Sequence, residues 1–293
     1  MVALLAGPGA AAADRVVVAS KIDTEGALLG NLIAAALEAH GVGVERKIQL
    51  GPTNIVRGAI LAGQIDLYPE YTGNGALFFH LEADPAWKNA EQGYIKVRDL
   101  DRDRNGLVWL NPAPANNTWA IAVRDDLPIG GRRCLQDFAK FVNGGGKVKL
   151  AASAEFVESP AALPAFEQTY GFHLAGDQLL TLSGGNTTAT LRAAAEGTSG
   201  VNAGMAYGTD GELAAFELTA LCDDKGAQVV YAPAPVVRAA VLKQHPEIAT
   251  VLNPVFATLT LTALQKLNAE IAVEGHDAAT VARSYLKSQD LLP

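Results

Sequence analysis

The sequence predicts an α/β chain built from parallel sheet and crossover helices. Three observations carry this. Short strand-like runs at Val16–Ser20, Val44–Leu50 and Ile65–Tyr68 alternate with helical patterns. Parallel strands in that order need helical crossovers. A second series of the same kind starts at Val148–Ala152, after glycine punctuation at Gly130, Gly131 and Gly144–Gly146. A chain of 293 residues suits two lobes, each of roughly 100–150 residues, better than one core.

The elements follow in order. Val16–Ser20 is β-branched and reads as a buried strand. Asp23 or Thr24 then caps a helix carrying Leu28, Leu29, Leu32, Ile33, Ala36 and Leu37, which stops at Gly41. Val44–Leu50 is the next strand, Thr53–Ala62 the next helix and Ile65–Tyr68 a third strand. A polar stretch runs from Glu82 to Asn105, and Ala120–Val123 is read as a strand leading out of the first lobe. The second series continues through Pro164–Tyr170, Thr188–Ala195, Gly204–Tyr207 and Val229–Tyr231. From Ala234 onward the pattern is helical, at Pro246–Leu252, Thr260–Leu267 and Ala278–Leu286. Glu247 and Asp277 stand near two helix starts, where the macrodipole favours negative charge. In such sheets ligands bind at the carboxyl ends of strands, beside helix N-termini.

Composition excludes some functions. A formal charge of −8 argues against a nucleic-acid partner, which needs a basic surface. Residues 1–13 (MVALLAGPGAAAA) are apolar and small and end in an Ala-x-Ala-like pattern at Ala11 and Ala13, resembling the back half of an export signal. The basic start of such a signal is missing. No cysteine near that point suggests a lipid anchor, so an unanchored, periplasmic form is expected. No other stretch approaches the ~20 apolar residues of a membrane span. Cys134 and Cys222 form either one disulfide, as export favours, or two separate buried thiols.

No motif for catalysis or metal binding is complete in the sequence. Asp101–Gly106 (DRDRNG) imitates the front of a calcium loop, but the twelfth position, where a bidentate Glu belongs, is Pro112. A solvated polar turn is the better reading. Gly184–Thr188 (GGNTT) lacks the Lys and spacing of a P-loop, leaving an anion-holding loop and a plain turn both open. No Gly-x-Ser-x-Gly elbow occurs, and His40, His80, His173, His245 and His276 have no metal-ligand spacing. Neither a cofactor nor a metal is expected, nor an enzyme.

Aromatic residues point elsewhere. They make up only 6% of the chain, yet they recur beside turns at strand ends. Asp66–Asn74 (DLYPEYTGN) places two tyrosines and a Thr-Gly turn directly after a strand. Asn116–Trp119 (NNTW), Ala206–Asp210 (AYGTD) and Tyr231–Pro233 (YAP) are further polar-plus-aromatic clusters. Rings gathered into a cage hold a cation that cannot donate hydrogen bonds, at ~0.5–2 kcal/mol per contact.

At these residues the chain resembles the osmoprotectant-binding proteins of ABC importers, the OsmF-type branch above all. The likeness rests on Ser20–Glu25 (SKIDTE), Leu50–Asn54 (LGPTN), Tyr68–Gly73 (YPEYTG), Asn116–Trp119, Tyr207–Asp210 and, near the end, Leu267–Ala269 and Val281–Leu286. It covers nearly the whole chain after Asp14. The resemblance implies a two-lobe, class II periplasmic-binding fold, each lobe a mainly parallel sheet flanked by helices, with ligand in the interlobe cleft. Residues 14–122 plus 234–293 would form lobe one and 123–233 lobe two. It implies capture of a quaternary-ammonium osmolyte, glycine betaine or choline for instance, by a monomer that delivers it to a membrane permease. A sensory ligand-binding module of the same fold and a periplasmic hydrolase are the alternatives. The implied cage is Tyr71, Trp119, Tyr207 and Tyr231, with Lys21 and Asn74 toward a ligand carboxylate. Thr72, Asn117 and Thr209, beside the rings, complete the expected ligand-binding set. One departure stands out: Ser159 occupies the place where relatives carry an Arg. Without that charge-assisted clamp, weak betaine binding or a ligand with less need for carboxylate recognition is expected.

Overall fold

A computed structural model describes residues 15–182 and 187–293. The export-signal reading of residues 1–13 lies outside the described residues, as does most of the Gly184–Thr188 loop.

Ten strands and thirteen helices are described. The first half runs β1 (Val16–Lys21), α1 (Thr24–Ala39), β2 (Val44–Gly51), α2 (Thr53–Leu61), β3 (Leu67–Tyr71), α3 (Asn74–Phe79), α4 (Ala90–Asn105), β4 (Leu107–Trp109) and β5 (Trp119–Arg124). It continues through α5 (Leu135–Asn143), β6 (Leu150–Ser153), α6 (Ala154–Glu158), α7 (Leu163–Tyr170), β7 (Leu179–Leu182), α8 (Thr187–Glu196), β8 (Ala203–Tyr207), α9 (Gly211–Ala215) and β9 (Leu218–Ala220). The chain ends with β10 (Pro233–Arg238), α10 (Ala239–Gln244), α11 (Glu247–Thr258), α12 (Leu261–Ala272) and α13 (Ala278–Ser288).

Two five-stranded sheets result, ordered β2-β1-β3-β10-β4 and β7-β6-β8-β5-β9. Each has three adjacent parallel strands followed by one reversed strand, β10 in the first and β5 in the second. The chain leaves the first sheet between β4 and β5 and returns between β9 and β10. Helix α1 begins where the Asp23 carboxylate accepts the Gly26 N–H at 2.7 Å, the cap expected from sequence. It is buried from Glu25 to Leu37 on nearly every face, because the first sheet lies on one side and α11, α12 and α13 on the others. The second sheet has its own core around Phe138, Phe156 and Phe166.

Three expectations change, and one open alternative is settled. The expected lobe boundary after residue 122 falls inside β5, which pairs throughout with β8 and β9 of the second sheet. Residues 229–231 form no strand; the strand is β10, which begins at Pro233 and takes up the start of the stretch read as helical. Its two prolines disguised it. Pro235 stands opposite Pro69 of β3, and since neither can donate, theirs is a non-hydrogen-bonded pair that costs that ladder nothing. The polar stretch before Asn105 is largely the helix α4, and Asp101 is no solvated turn residue. It is fully buried, bound by Nη1 and Nη2 of Arg57 and by the Trp109 indole at 2.7 Å. Cys134 and Cys222 form a disulfide, with Cα atoms 4.3 Å apart.

Candidate functional site

Two adjoining cavities lie where both sheets present loops. The first, of about 500 Å³, has Trp119, Tyr207 and Tyr231 in its wall. Trp119 opens β5 and Tyr207 closes β8, and these residues pair across the antiparallel ladder. Their rings therefore lie together, centroids 6.4 Å apart and 23° from parallel. Phe156 meets the Trp119 ring edge-on at 6.1 Å and fixes it from behind. Burial raises the hydroxyls of Tyr207 and Tyr231 above the ordinary tyrosine range, so both rings stay neutral.

Tyr231 is positioned by the Tyr-Thr-Gly turn. Thr72 Oγ1 donates to the Val230 carbonyl at 3.1 Å and accepts the Ala232 N–H at 3.1 Å, bracketing Tyr231. The Tyr231 N–H donates to Asn116 Oδ1 at 2.8 Å. A Cβ on Gly73 would stand 2.7 Å from the Tyr231 ring, so only glycine lets that ring lie on the turn. Thr72 thus holds the backbone beside the cage and is itself nearly sealed from solvent.

The second cavity, of about 510 Å³, shares Asn117 and Tyr207 with the first and also holds Thr209. Its wall carries the carboxyl groups of Asp23, Glu25, Asp210 and Glu212, and, among the described residues, no lysine or arginine. Glu25 is buried and accepts hydrogen bonds from the Tyr71 hydroxyl at 2.6 Å, Asn117 Nδ2 at 3.2 Å and Asn268 Nδ2 at 2.7 Å. Burial pushes its carboxyl above the usual range in spite of those bonds. Asp210 is pushed up to about 7 by burial, opposed by the Tyr207 N–H it accepts at 2.7 Å.

The unpartnered buried atoms differ between the cavities. In the aromatic one the donor Gln228 Nε2 accompanies the shared acceptor Asn117 Oδ1. In the carboxyl-lined one they are acceptors, Asn117 Oδ1 and Asn268 Oδ1.

The structure brings Asn117, Trp119, Tyr207, Thr209 and Tyr231 to these cavities and leaves other expected residues behind. The Tyr71 ring packs in the first-sheet core and lines neither cavity; its hydroxyl donates to the Glu25 carboxylate. Lys21 lines neither cavity. Its ammonium is ion-paired with the fully buried Glu70 and sits 4.5 Å from the Tyr71 ring centre. Asn74 also serves Glu70, donating from Nδ2 at 2.8 Å. Glu70 so absorbs two of the groups expected to grip an anion, because a buried carboxylate needs them more. Ser159 ends α6, and its Oγ accepts the Ala161 N–H at 3.4 Å. Sequence reasoning assigned no role to Glu25, Asp210, Glu212 or Asn268. The available signals were a Glu at the head of an otherwise apolar helix and an Asn between Leu267 and Ala269.

Residues 14–288 match the family model described as the substrate binding domain of ABC-type glycine betaine transport systems. The glycine betaine-binding protein YehZ of Escherichia coli K12 is 60% identical over 279 residues, covering 95% of this chain and 92% of the relative. A glycine-betaine-binding protein of Pseudomonas aeruginosa is 31% identical over 292 residues, covering 97% and 91%. The solved apo structure of E. coli YehZ superimposes with a TM-score of 0.91 at 59% identity, over 95% of this chain and all of that one.

Proposed function

The chain belongs to the family of substrate-binding domains of ABC-type glycine betaine transport systems, and from that premise we propose that it captures a small quaternary-ammonium compound among the rings of Trp119, Tyr207 and Tyr231. Membership makes it a ligand-binding protein with the two-lobe α/β fold, not an enzyme. It also implies a small-molecule ligand, a transporter permease as partner and a place of work outside the cytoplasmic membrane. The finer reading, a periplasmic monomer that hands its ligand to that permease, is our own.

One observation carries the ligand class: three aromatic rings converge on a single cavity from β5, β8 and the loop before β10. A quaternary ammonium has no hydrogen to donate and is held by ring quadrupoles. Gln228 Nε2, buried without a partner in the same wall, suits an oxygen elsewhere on the ligand. Glycine betaine heads the candidates because the relatives carry its name; choline, carnitine, ectoine and proline betaine follow. With Lys21 engaged by Glu70 and Ser159 in place of an Arg, the ligand carboxylate has no free cationic clamp at those two positions.

Isothermal titration of these compounds, with Trp119→Ala, Tyr207→Ala and Tyr231→Ala variants alongside, tests the reading. Each loss of a ring should lower affinity roughly 3- to 30-fold, as ~0.5–2 kcal/mol per cation–π contact requires. Unchanged affinity in all three variants would remove the rings from the binding site.

A further inference from the structure

The carboxyl-lined cavity is larger than the needs of a betaine explain. Glycine betaine presents a trimethylammonium head, which the rings take, and a carboxylate, which Asp23, Glu25, Asp210 and Glu212 would repel. We infer that this cavity is a second subsite, built for a hydrogen-bond-donating cation, a protonated amine, on the tail of the ligand whose quaternary head lies among the rings. The inference rests on the proposed aromatic cage for the head.

Two independent features of the wall point the same way. The first is charge: four carboxyl groups, with no basic residue among the described residues of the wall. The second is hydrogen-bonding sense. Asn268 is 5% exposed, and its Nδ2 is committed to Glu25 Oε2 at 2.7 Å and to the Thr209 carbonyl at 2.8 Å. Both partners are acceptors, so the amide cannot be turned round, and its Oδ1 is left buried and unpartnered on the cavity wall. Asn117 has the same arrangement: Nδ2 donates to Glu25 Oε1 at 3.2 Å while Oδ1 is unpartnered. A buried acceptor left unpartnered is costly, and an ammonium tail supplies three donors where a carboxylate supplies none. A metal ion is a poorer occupant, because among the described residues no three His, Cys, Asp or Glu side chains are placed to hold one. Asn117 and Tyr207 belong to both walls, so the two cavities adjoin and one ligand can contact both.

The test compares three trimethylammonium compounds on the same three-carbon chain, ending in ammonium, hydroxyl or carboxylate. Titration calorimetry at neutral pH should rank ammonium first, at least tenfold tighter than carboxylate, with hydroxyl between them. In Glu25→Gln and in Asp210→Asn, which keeps an acceptor for the Tyr207 N–H, the ammonium-to-carboxylate ratio should fall several-fold. That ratio is read within each folded variant, so a general loss of stability does not imitate the effect. A carboxylate compound that binds as tightly as the ammonium one, or a ratio unmoved in both variants, overturns the second subsite while leaving the cage intact. Failure of all three compounds to bind overturns the cage and the subsite together.

Discussion

Lys21 and Glu70 decide how the first strand end behaves. Both are buried, and their charges compensate each other at the end of β1 and within β3. The two partners are not equally supported. Glu70 also accepts the Tyr68 hydroxyl at 3.2 Å, the Tyr71 N–H at 2.7 Å and the Asn74 amide at 2.8 Å. Apart from Glu70, the Tyr71 ring is the one partner beside the Lys21 ammonium among the described residues. Removing one member of a buried ion pair costs about 3–5 kcal/mol, mostly through the charge left behind. Glu70→Gln should therefore reach the upper end of that range and Lys21→Met the lower, since Glu70 keeps three other donors. Urea denaturation of both variants measures the order. Lys21→Met should also bind glycine betaine within about threefold of the parent, because an ammonium committed to Glu70 gives little to a ligand; a tenfold loss would return Lys21 to the ligand site.

At the scale of elements, the disulfide joins the start of α5 to the segment after β9, across 88 positions. The backbone accompanies it: the Leu135 N–H donates to the Cys222 carbonyl at 2.9 Å. The bond anchors the edge of the second sheet just before the chain returns to the first. Replacing both cysteines by serine should cost about 2–5 kcal/mol, the usual loss for a native disulfide, seen as a lower melting temperature that reductant reproduces in the parent protein. The same elements show what sequence could and could not disclose. The strand-helix alternation from Val16 to Tyr68 and the rings at Trp119, Tyr207 and Tyr231 were legible, because period and turn chemistry are local. Strand β10 was not, because Pro235 fits its ladder by standing opposite Pro69 in a non-hydrogen-bonded pair, a partner found through the fold. Helix α4 was hidden by its polarity, which the burial of Asp101 against Arg57 and Trp109 makes sense of only in three dimensions. Glu25 and Asn268 meet across 243 positions, so no local pattern announces the carboxyl-lined cavity.

For the whole molecule, the question is what holds the two sheets in register around the cavities. Two chain crossings connect them, and α12 adds a third tie from the C-terminal segment. Asn268 of α12 donates to Glu25 at the head of α1 and to the Thr209 carbonyl beyond β8, one partner from each sheet's loops. Gln265 donates to the Gly208 carbonyl at 2.7 Å. The contact is close because Gly211 has no side chain: a Cβ there would lie 2.4 Å from the Ala269 nitrogen and 2.5 Å from the Asn268 carbonyl carbon, both backbone atoms that cannot swing aside. Binding proteins of this architecture act by hinge closure over ligand, so a wedge at this point should bias the equilibrium toward open forms. Gly211→Ala is expected to raise the radius of gyration of the ligand-free protein in small-angle scattering. It should also weaken ligand binding by about tenfold while leaving each sheet's core folded by near-ultraviolet circular dichroism. Ligand binds the closed form preferentially, so saturating ligand should bring the variant back toward the compact radius, since a ligand shifts a conformational equilibrium by its differential affinity for the two states. A variant that scatters like the parent and binds as tightly would mean that the two chain crossings, and not the packing of α12 on α9, set the closure of the cleft.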